Sequence, residues 1–209
     1  MFRNRYARAP VSVLERTPPR RGRRPAVSRE DVLDAALQRF LRGRRIDVRA
    51  LAGELGLGRT TIYRWFGSRE GLLGEVLVRA AEPLFQRARA AATGSGGAAL
   101  LDTFDRINRD LASAPALRQF VEQERDALRI LTSSAGGVQP RMVAKVTALV
   151  EDEIAAGYTP PVEPAILAYA IVRLAEAFLY NDTMTGIRGD VERLRKVEAV
   201  LLGVPLTDR

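Results

Sequence analysis

The chain has 209 residues, 46% of them hydrophobic and 28% charged, enough to bury the cores of one small and one larger domain. It contains no His and no Cys, which excludes a Ser-His-Asp triad, a Cys nucleophile, a zinc finger and a disulfide, and leaves only carboxylate-based metal or acid/base chemistry. The net charge of +8 is lopsided: up to Leu72 there are 17 Arg against 7 acids, a net +10, whereas from Leu73 onward 16 Lys and Arg face 18 acids, so the N-terminal third is the nucleic-acid end.

Residues 1–27 hold eight Arg, four Pro and one acid. A segment with so little to bury reads as a flexible basic arm. Arg20, Arg21, Arg23 and Arg24 would follow phosphates or enter a minor groove; a solvated tail is the plain alternative. Arg residues are scattered where a secretion signal needs an apolar run. No later stretch approaches the ~18 apolar residues of a membrane span, so the chain reads as cytoplasmic, with no membrane partner.

Ser28 with Asp31 three residues on is a capping-box-like pair that opens a helix, and Val32, Ala35, Ala36, Leu37 and Phe40 give its apolar stripe. Gly43 ends it and Asp47 caps the next. Between Val48 and Phe66 two short helices are joined by a turn: Leu51, Ala52 and Leu55 recur at helical spacing, Gly56 stands where a helix can stop in a left-handed conformation, and Leu57 plugs the gap. The second helix, Arg59 to Trp65, sends Ile62 and Phe66 inward. Arg59, Thr60, Thr61, Tyr63 and Arg64 stay outward with no carboxylate among them. Helix pairs of this kind occur in many all-helical proteins, but beside a basic flank the pattern is that of a helix-turn-helix.

A long helix follows from Arg69 to about Ala92, capped by Ser68, with Pro83 expected to kink or loosen it. After the flexible Thr93–Gly97 come helices over Ala98–Ala112, Pro115–Thr132, Pro140–Ala156, Glu163–Thr185 and Asp190–Leu202. No strand-length alternation and no internal repeat is present, so the class is all-α. Glu163–Thr185 is the most apolar helix. Arg173 and Glu176 interrupt it at i, i+3, as an ion pair or a polar handle for a ligand. Phe104, Ile107, Leu111, Phe120, Leu128, Leu131, Met142, Val146, Tyr169 and Phe178 are core-type residues able to line a cavity, with Glu124 as a polar group inside.

Several stretches match one family at fixed offsets: Ser28-Arg29-Glu30-Asp31 through Phe40, Val48-Arg49-Ala50-Leu51-Ala52, Gly56 to Phe66, and Ser68-Arg69-Glu70-Gly71-Leu72-Leu73. The box Thr61-Ile62-Tyr63-Arg64-Trp65-Phe66 with its downstream Ser-Arg-Glu carries most of the signal. Over about 50 residues the chain resembles the N-terminal domain of the TetR family of bacterial repressors. The Gly43–Asp47 connection is shorter than usual in that family, which often ends it in two Thr.

The resemblance implies a three-helix helix-turn-helix domain (28–74) joined by a long fourth helix to a helical effector-binding and dimerisation domain (75–209). It implies DNA contacts from Arg49, Arg59, Thr60, Thr61, Tyr63, Arg64 and Trp65, with Arg59, Thr60 and Thr61 nearest base edges. Arg69 takes the position of a phosphate-binding residue. It further implies a homodimer through the last two long helices, a palindromic double-stranded operator, and repression relieved by a small apolar effector. Candidate ligand residues are Phe104, Ile107, Phe120, Glu124, Leu128, Met142, Tyr169, Arg173 and Phe178. The helix-turn-helix wording, the short loop and Phe178-Leu-Tyr-Asn-Asp182 resemble the subgroup of the quorum-signal lactonase operon repressor, which would imply an acyl-lactone or fatty-acyl effector. No catalytic residue, metal or cofactor is expected. Two alternatives stand beside this reading: a nucleoid-type DNA binder with little sequence preference, and a helical ligand-binding protein or enzyme.

Overall fold

A computed structural model describes residues 27–180 and 190–205, which form ten helices with no strand among them. The Ser28 side chain accepts from the Asp31 N–H at 3.1 Å while Asp31 accepts from the Ser28 N–H at 2.7 Å, the reciprocal pairing that this spacing predicts. It starts α1 (Arg29–Leu41), which buries Val32, Leu33, Ala36 and Phe40. Gly43, at φ +66°, turns the chain out. Asp47 then accepts from the Ala50 N–H to open α2 (Val48–Glu54), and these backbone N–H groups hold its carboxyl below the ordinary range.

The turn after α2 is closed by the Leu57 N–H donating to the Ala52 carbonyl at 2.8 Å across Gly56, whose φ of +67° suits a residue without a Cβ. α3 (Arg59–Phe66) follows, and Ser68 accepts from the Gly71 N–H to cap α4 (Arg69–Ala91). A Cβ at Gly71 would lie 2.0 Å from the Phe66 carbonyl oxygen, so α3 and α4 meet at this angle only with glycine there. α4 has 23 residues and runs on past Pro83 as a single helix. The proline leaves the Arg79 carbonyl without its amide partner.

The second half comprises α5 (Gly97–Ser113), α6 (Pro115–Gln123), α7 (Ala127–Thr132), α8 (Gln139–Ala155), α9 (Pro164–Tyr180) and α10 (Val191–Leu201). α8 packs along α9, and α10 lies across α5 and α9. The stretch Pro115–Thr132, expected as one helix, is two, because Glu124 leaves helical geometry at φ −102° and ψ 114°. Of the expected Glu163–Thr185 helix, the part after Tyr180 lies outside the described residues.

Burial divides the core unexpectedly. Val32, Phe40, Leu51, Ile62, Phe66, Leu72 and Val76 form one cluster that continues without a gap into Leu117, Ile130, Leu131 and Val138 of the second half. A second cluster gathers Leu100, Phe104, Val150, Leu167, Ile171 and Leu202. α6 and α7 are thus packed with the helix-turn-helix, while α5, α8, α9 and α10 form a bundle of their own. Among the described residues no helix is long and apolar enough to cross a membrane.

Candidate functional site

Two features stand out, an exposed surface around α3 and a cavity beside the middle of α4. At the first, Arg49 on the opening turn of α2 and Arg59, Thr60, Tyr63 and Arg64 on α3 are exposed, while Thr61 and Trp65 are half-buried. They share a surface because Ile62 and Phe66 claim the opposite face of α3 for the core. Trp65 packs partly on that core, and its carbonyl accepts from Arg29 Nε at 3.4 Å. Several neighbouring arginines are committed within the fold: Arg29 to Glu75 and over the Phe66 ring, Arg39 to Glu54, and Arg79 to Glu30. Arg42, Arg44 and Arg45 in the α1–α2 connection are exposed, the latter two beside the small hollow that Gln123 and Glu124 also line. Arg23 and Arg24, with Arg20 and Arg21, lie outside the described residues.

Arg69, expected at a phosphate, is paired within the fold. Its Nη1 and Nη2 lie 2.9 and 2.5 Å from Oε1 and Oε2 of Glu124, and Nη2 also donates to the Ile46 carbonyl at 3.4 Å. A guanidinium held by a bidentate carboxylate meets a phosphate only by giving up that partner. The pairing holds the Glu124 carboxyl below the usual carboxylate range and lifts the Arg69 guanidinium above its own. Nothing in the sequence placed these two residues together, because Glu124 reaches Arg69 only once the helix breaks after Gln123.

The second feature is a cavity of about 220 Å³ between the helix-turn-helix and the bundle. That is room for many times one water molecule, which needs about 10–15 Å³. α1 supplies Phe40 and Leu41 to its wall, α4 Leu77, Ala80, Ala81, Leu84 and Phe85, and α5 Phe104, Ile107, Asn108 and Leu111. Leu117 comes from α6, Leu131 from α7, Met142 and Val146 from α8, and Ile171, Val172, Ala175, Glu176 and Leu179 from α9; Glu198 of α10 closes it.

Of the sequence candidates, Phe104, Ile107 and Met142 line this cavity and the other six do not. Phe120 packs edge-on against Phe40, with ring centroids 6.1 Å apart, and faces a small hollow beside Gly43 and Ile46 together with Glu124. Glu124 is instead the partner of Arg69. Leu128 points to solvent, since α7 turns Ala127, Ile130 and Leu131 inward. Tyr169 is 51% exposed, on the half of α9 before the cavity begins. Phe178 is half-buried beside the lining stripe of α9. Arg173 stays outside the wall and donates to Glu176 at 2.7 Å and to the Thr132 carbonyl at 3.1 Å.

The polar groups of the wall sit in unlike settings. Glu176 accepts from Arg173 and, at 3.3 Å, from Gln139, and its burial raises its carboxyl above the usual range. Glu198 is wholly buried; Asn108 Nδ2 donates to its two oxygens at 3.0 and 3.3 Å, and burial pushes its carboxyl up to about 8. The sequence carried one sign of this residue: Val191, Leu194, Glu198 and Leu202 follow helical spacing, which puts a carboxylate on the apolar stripe of α10.

The geometry meets its relatives at this point. Residues 95–203 match the family model described as "Tetracyclin repressor-like, C-terminal domain". The chain is similar to the R. erythropolis transcriptional repressor QsdR from the TetR family, at 30% identity and a TM-score of 0.79, over 87% of this chain and 97% of that one. It is also similar to the TetR family repressor AlkX from Dietzia sp. strain DQ12-45-1b, implicated in biodegradation of n-alkanes, at 22% identity and a TM-score of 0.58, over 85% of this chain and 97% of that one; the latter likeness concerns the fold alone. Among curated proteins no sequence match is found. With the family model covering the bundle and the whole fold shared with QsdR, the chain belongs to the TetR family of DNA-binding transcriptional regulators.

Proposed function

We propose that this regulator is a homodimeric repressor that grips a near-palindromic operator and releases it when a small apolar molecule fills the cavity. The observation that carries the reading is the composition of the cavity wall. Phe40, Leu41 and Leu77 belong to helices packed with α3, and the opposite wall belongs to the bundle. An occupant therefore presses directly on the unit that carries the recognition helix. A molecule that binds one arrangement of the two units better than the other shifts DNA affinity by that difference, typically about 1 to 3 kcal/mol.

In this reading Arg59, Thr60 and Thr61 read base edges, where Arg pairs bidentately with guanine. Arg49, Tyr63, Arg64 and Trp65 reach the backbone. The dimer is supported by four exposed apolar side chains in two pairs, Ile166 and Tyr169 on α9 and Val197 and Val200 on α10. Each pair is spaced by three residues, so each lies on one face of its helix. A second copy across a twofold axis covers such a patch and sets two α3 helices against successive major-groove faces.

Fluorescence anisotropy on duplexes tiled across the upstream region of its own gene, at fixed salt with a scrambled control, tests the DNA half. Binding of one near-palindromic duplex at least ~10³-fold tighter than the control supports it. Equal, salt-sensitive binding to every duplex overturns it. Titrating apolar compounds into the specific complex tests the effector half, where a drop of about 5- to 150-fold in affinity is expected.

A further inference from the structure

The cavity wall is acidic as well as apolar. Among the described residues that line it, the ionisable groups are Glu176, Glu198 and Tyr180, with no Arg or Lys. Glu176 is already matched by Arg173 and Gln139. Among the described residues Glu198 is not matched: it is fully buried and its one hydrogen-bonding neighbour there is the Asn108 amide. Behind it, Asp105 sits 3.0 Å from Arg109 and 3.6 Å from Arg195, so the local cations are directed to Asp105, whose charge opposes a second anion nearby. A carboxyl in that setting carries its proton. One amide donates to it, and among the described residues no hydrogen bond to Glu198 other than that amide's is found, although Oδ1 of Asp105 is a buried acceptor without a partner of its own.

A ligand carboxylate entering this space would meet no cation to offset its desolvation and would face carboxyl groups instead. An uncharged molecule with an oxygen acceptor meets a donor. We infer that the cavity selects an uncharged, largely aliphatic molecule carrying one carbonyl or ether-type oxygen, which the Glu198 carboxyl binds by donation, and that it discriminates against the corresponding fatty-acid anion. This rests on the reading of the cavity as the effector site and narrows its ligand class. Asn108 is the positioning residue: its Nδ2 contacts both Glu198 oxygens, at 3.0 and 3.3 Å, and holds the carboxyl at the cavity wall, where a ligand oxygen competes for the O–H with the unpartnered Oδ1 of Asp105.

The test uses the full-length protein and three probes of matched chain, methyl decanoate, decanoate and decylamine, titrated by calorimetry at neutral pH. Methyl decanoate is expected to bind at least about tenfold more tightly than either charged probe, the scale of one hydrogen bond set against an unmatched charge. Glu198→Gln keeps a donor and is expected to hold the ester within about threefold, whereas Glu198→Leu loses about tenfold. Thermal melts verify that each variant folds; if Glu198→Leu does not, the probe comparison on the unaltered protein and the Glu198→Gln variant still decide. Decanoate binding as tightly as its ester overturns the inference and leaves the effector site standing. So does decylamine binding tightest and losing that affinity in Glu198→Gln, which makes Glu198 the anion of an ion pair. Binding by none of the three overturns the inference together with the effector reading of the cavity.

Discussion

Arg69 and Glu124 join two parts of the molecule that lie 55 residues apart, through a bidentate pair whose side chains are 25% and 7% exposed. Arg69 is the first residue of α4, directly behind the recognition helix, and Glu124 occupies the break between α6 and α7. Leu117 and Leu131, on those two helices, face the cavity. In the proposed reading, a displacement of α6 or α7 by an occupant would be felt at the root of α4. The pair ties the break between α6 and α7 to the first turn of α4.

The strength of that tie is measurable by a double-mutant cycle. With Glu124 almost wholly buried, removal of Arg69 strands a carboxylate, and removal of Glu124 strands a partly buried guanidinium. Urea unfolding of Arg69→Ala, Glu124→Ala and the double variant is expected to give a coupling of about 1 to 3 kcal/mol, below the value for a fully buried pair because Arg69 is partly wetted. A coupling under about 0.5 kcal/mol would show a solvent-screened contact that joins nothing.

DNA binding should separate two kinds of arginine. Arg59→Ala is expected to narrow the gap between operator and scrambled duplex by about 1 to 3 kcal/mol, since a base reader is lost. Arg64→Ala should weaken all duplexes alike and reduce the salt slope by about 1. Arg69→Ala, whose guanidinium is held by Glu124, should leave the salt slope unchanged. A reduced slope in Arg69→Ala would mean that the arginine leaves Glu124 for a phosphate when DNA arrives.

The helix-turn-helix was legible because its determinants are local. The Ser28–Asp31 box, the Asp47 cap, the left-handed Gly56 and the inward Ile62 and Phe66 each depend on neighbours within a few residues. The cavity was not legible, because core and cavity use the same side chains: Leu77, Leu84 and Phe85 on α4 look like ordinary packing until the helices opposite are placed. The break at Glu124 was hidden for a related reason. No Gly or Pro marks it, and the partner that Glu124 meets there is 55 residues away. Gly71 gave no signal either, since only the approach of the Phe66 carbonyl explains it.

The exposed apolar faces of α9 and α10 lead to a test of assembly. Ile166→Glu combined with Val200→Glu places charge on side chains that are 57% and 63% exposed, so the fold of one subunit has little to lose. Surface substitutions of this kind change stability by about 0.5 kcal/mol or less. Sedimentation is expected to show a monomer with unchanged helicity, and operator affinity should collapse because two half-sites are no longer read together. A variant that stays dimeric would place the interface elsewhere.

Glu198 makes the stability of the protein depend on pH in a defined sense. Its carboxyl sits at about 8 when folded, through burial and the charge of Asp105, with Asn108 and Arg195 acting in the opposite direction, against an ordinary value of 4.5. The folded state thus binds this proton more tightly, and folding takes up a proton between those two values. Stability from this group is intact below about pH 4.5, declines as pH rises toward 8 and levels off above it, for a total on the order of 5 kcal/mol. Glu198→Gln cannot titrate. It should match the unaltered protein near pH 4.5 and exceed it increasingly up to pH 8, as followed by urea unfolding across that range. Parallel profiles for the two proteins would mean that the carboxyl is hydrated in solution and carries its charge at neutral pH, which would remove the donor on which ligand selection depends.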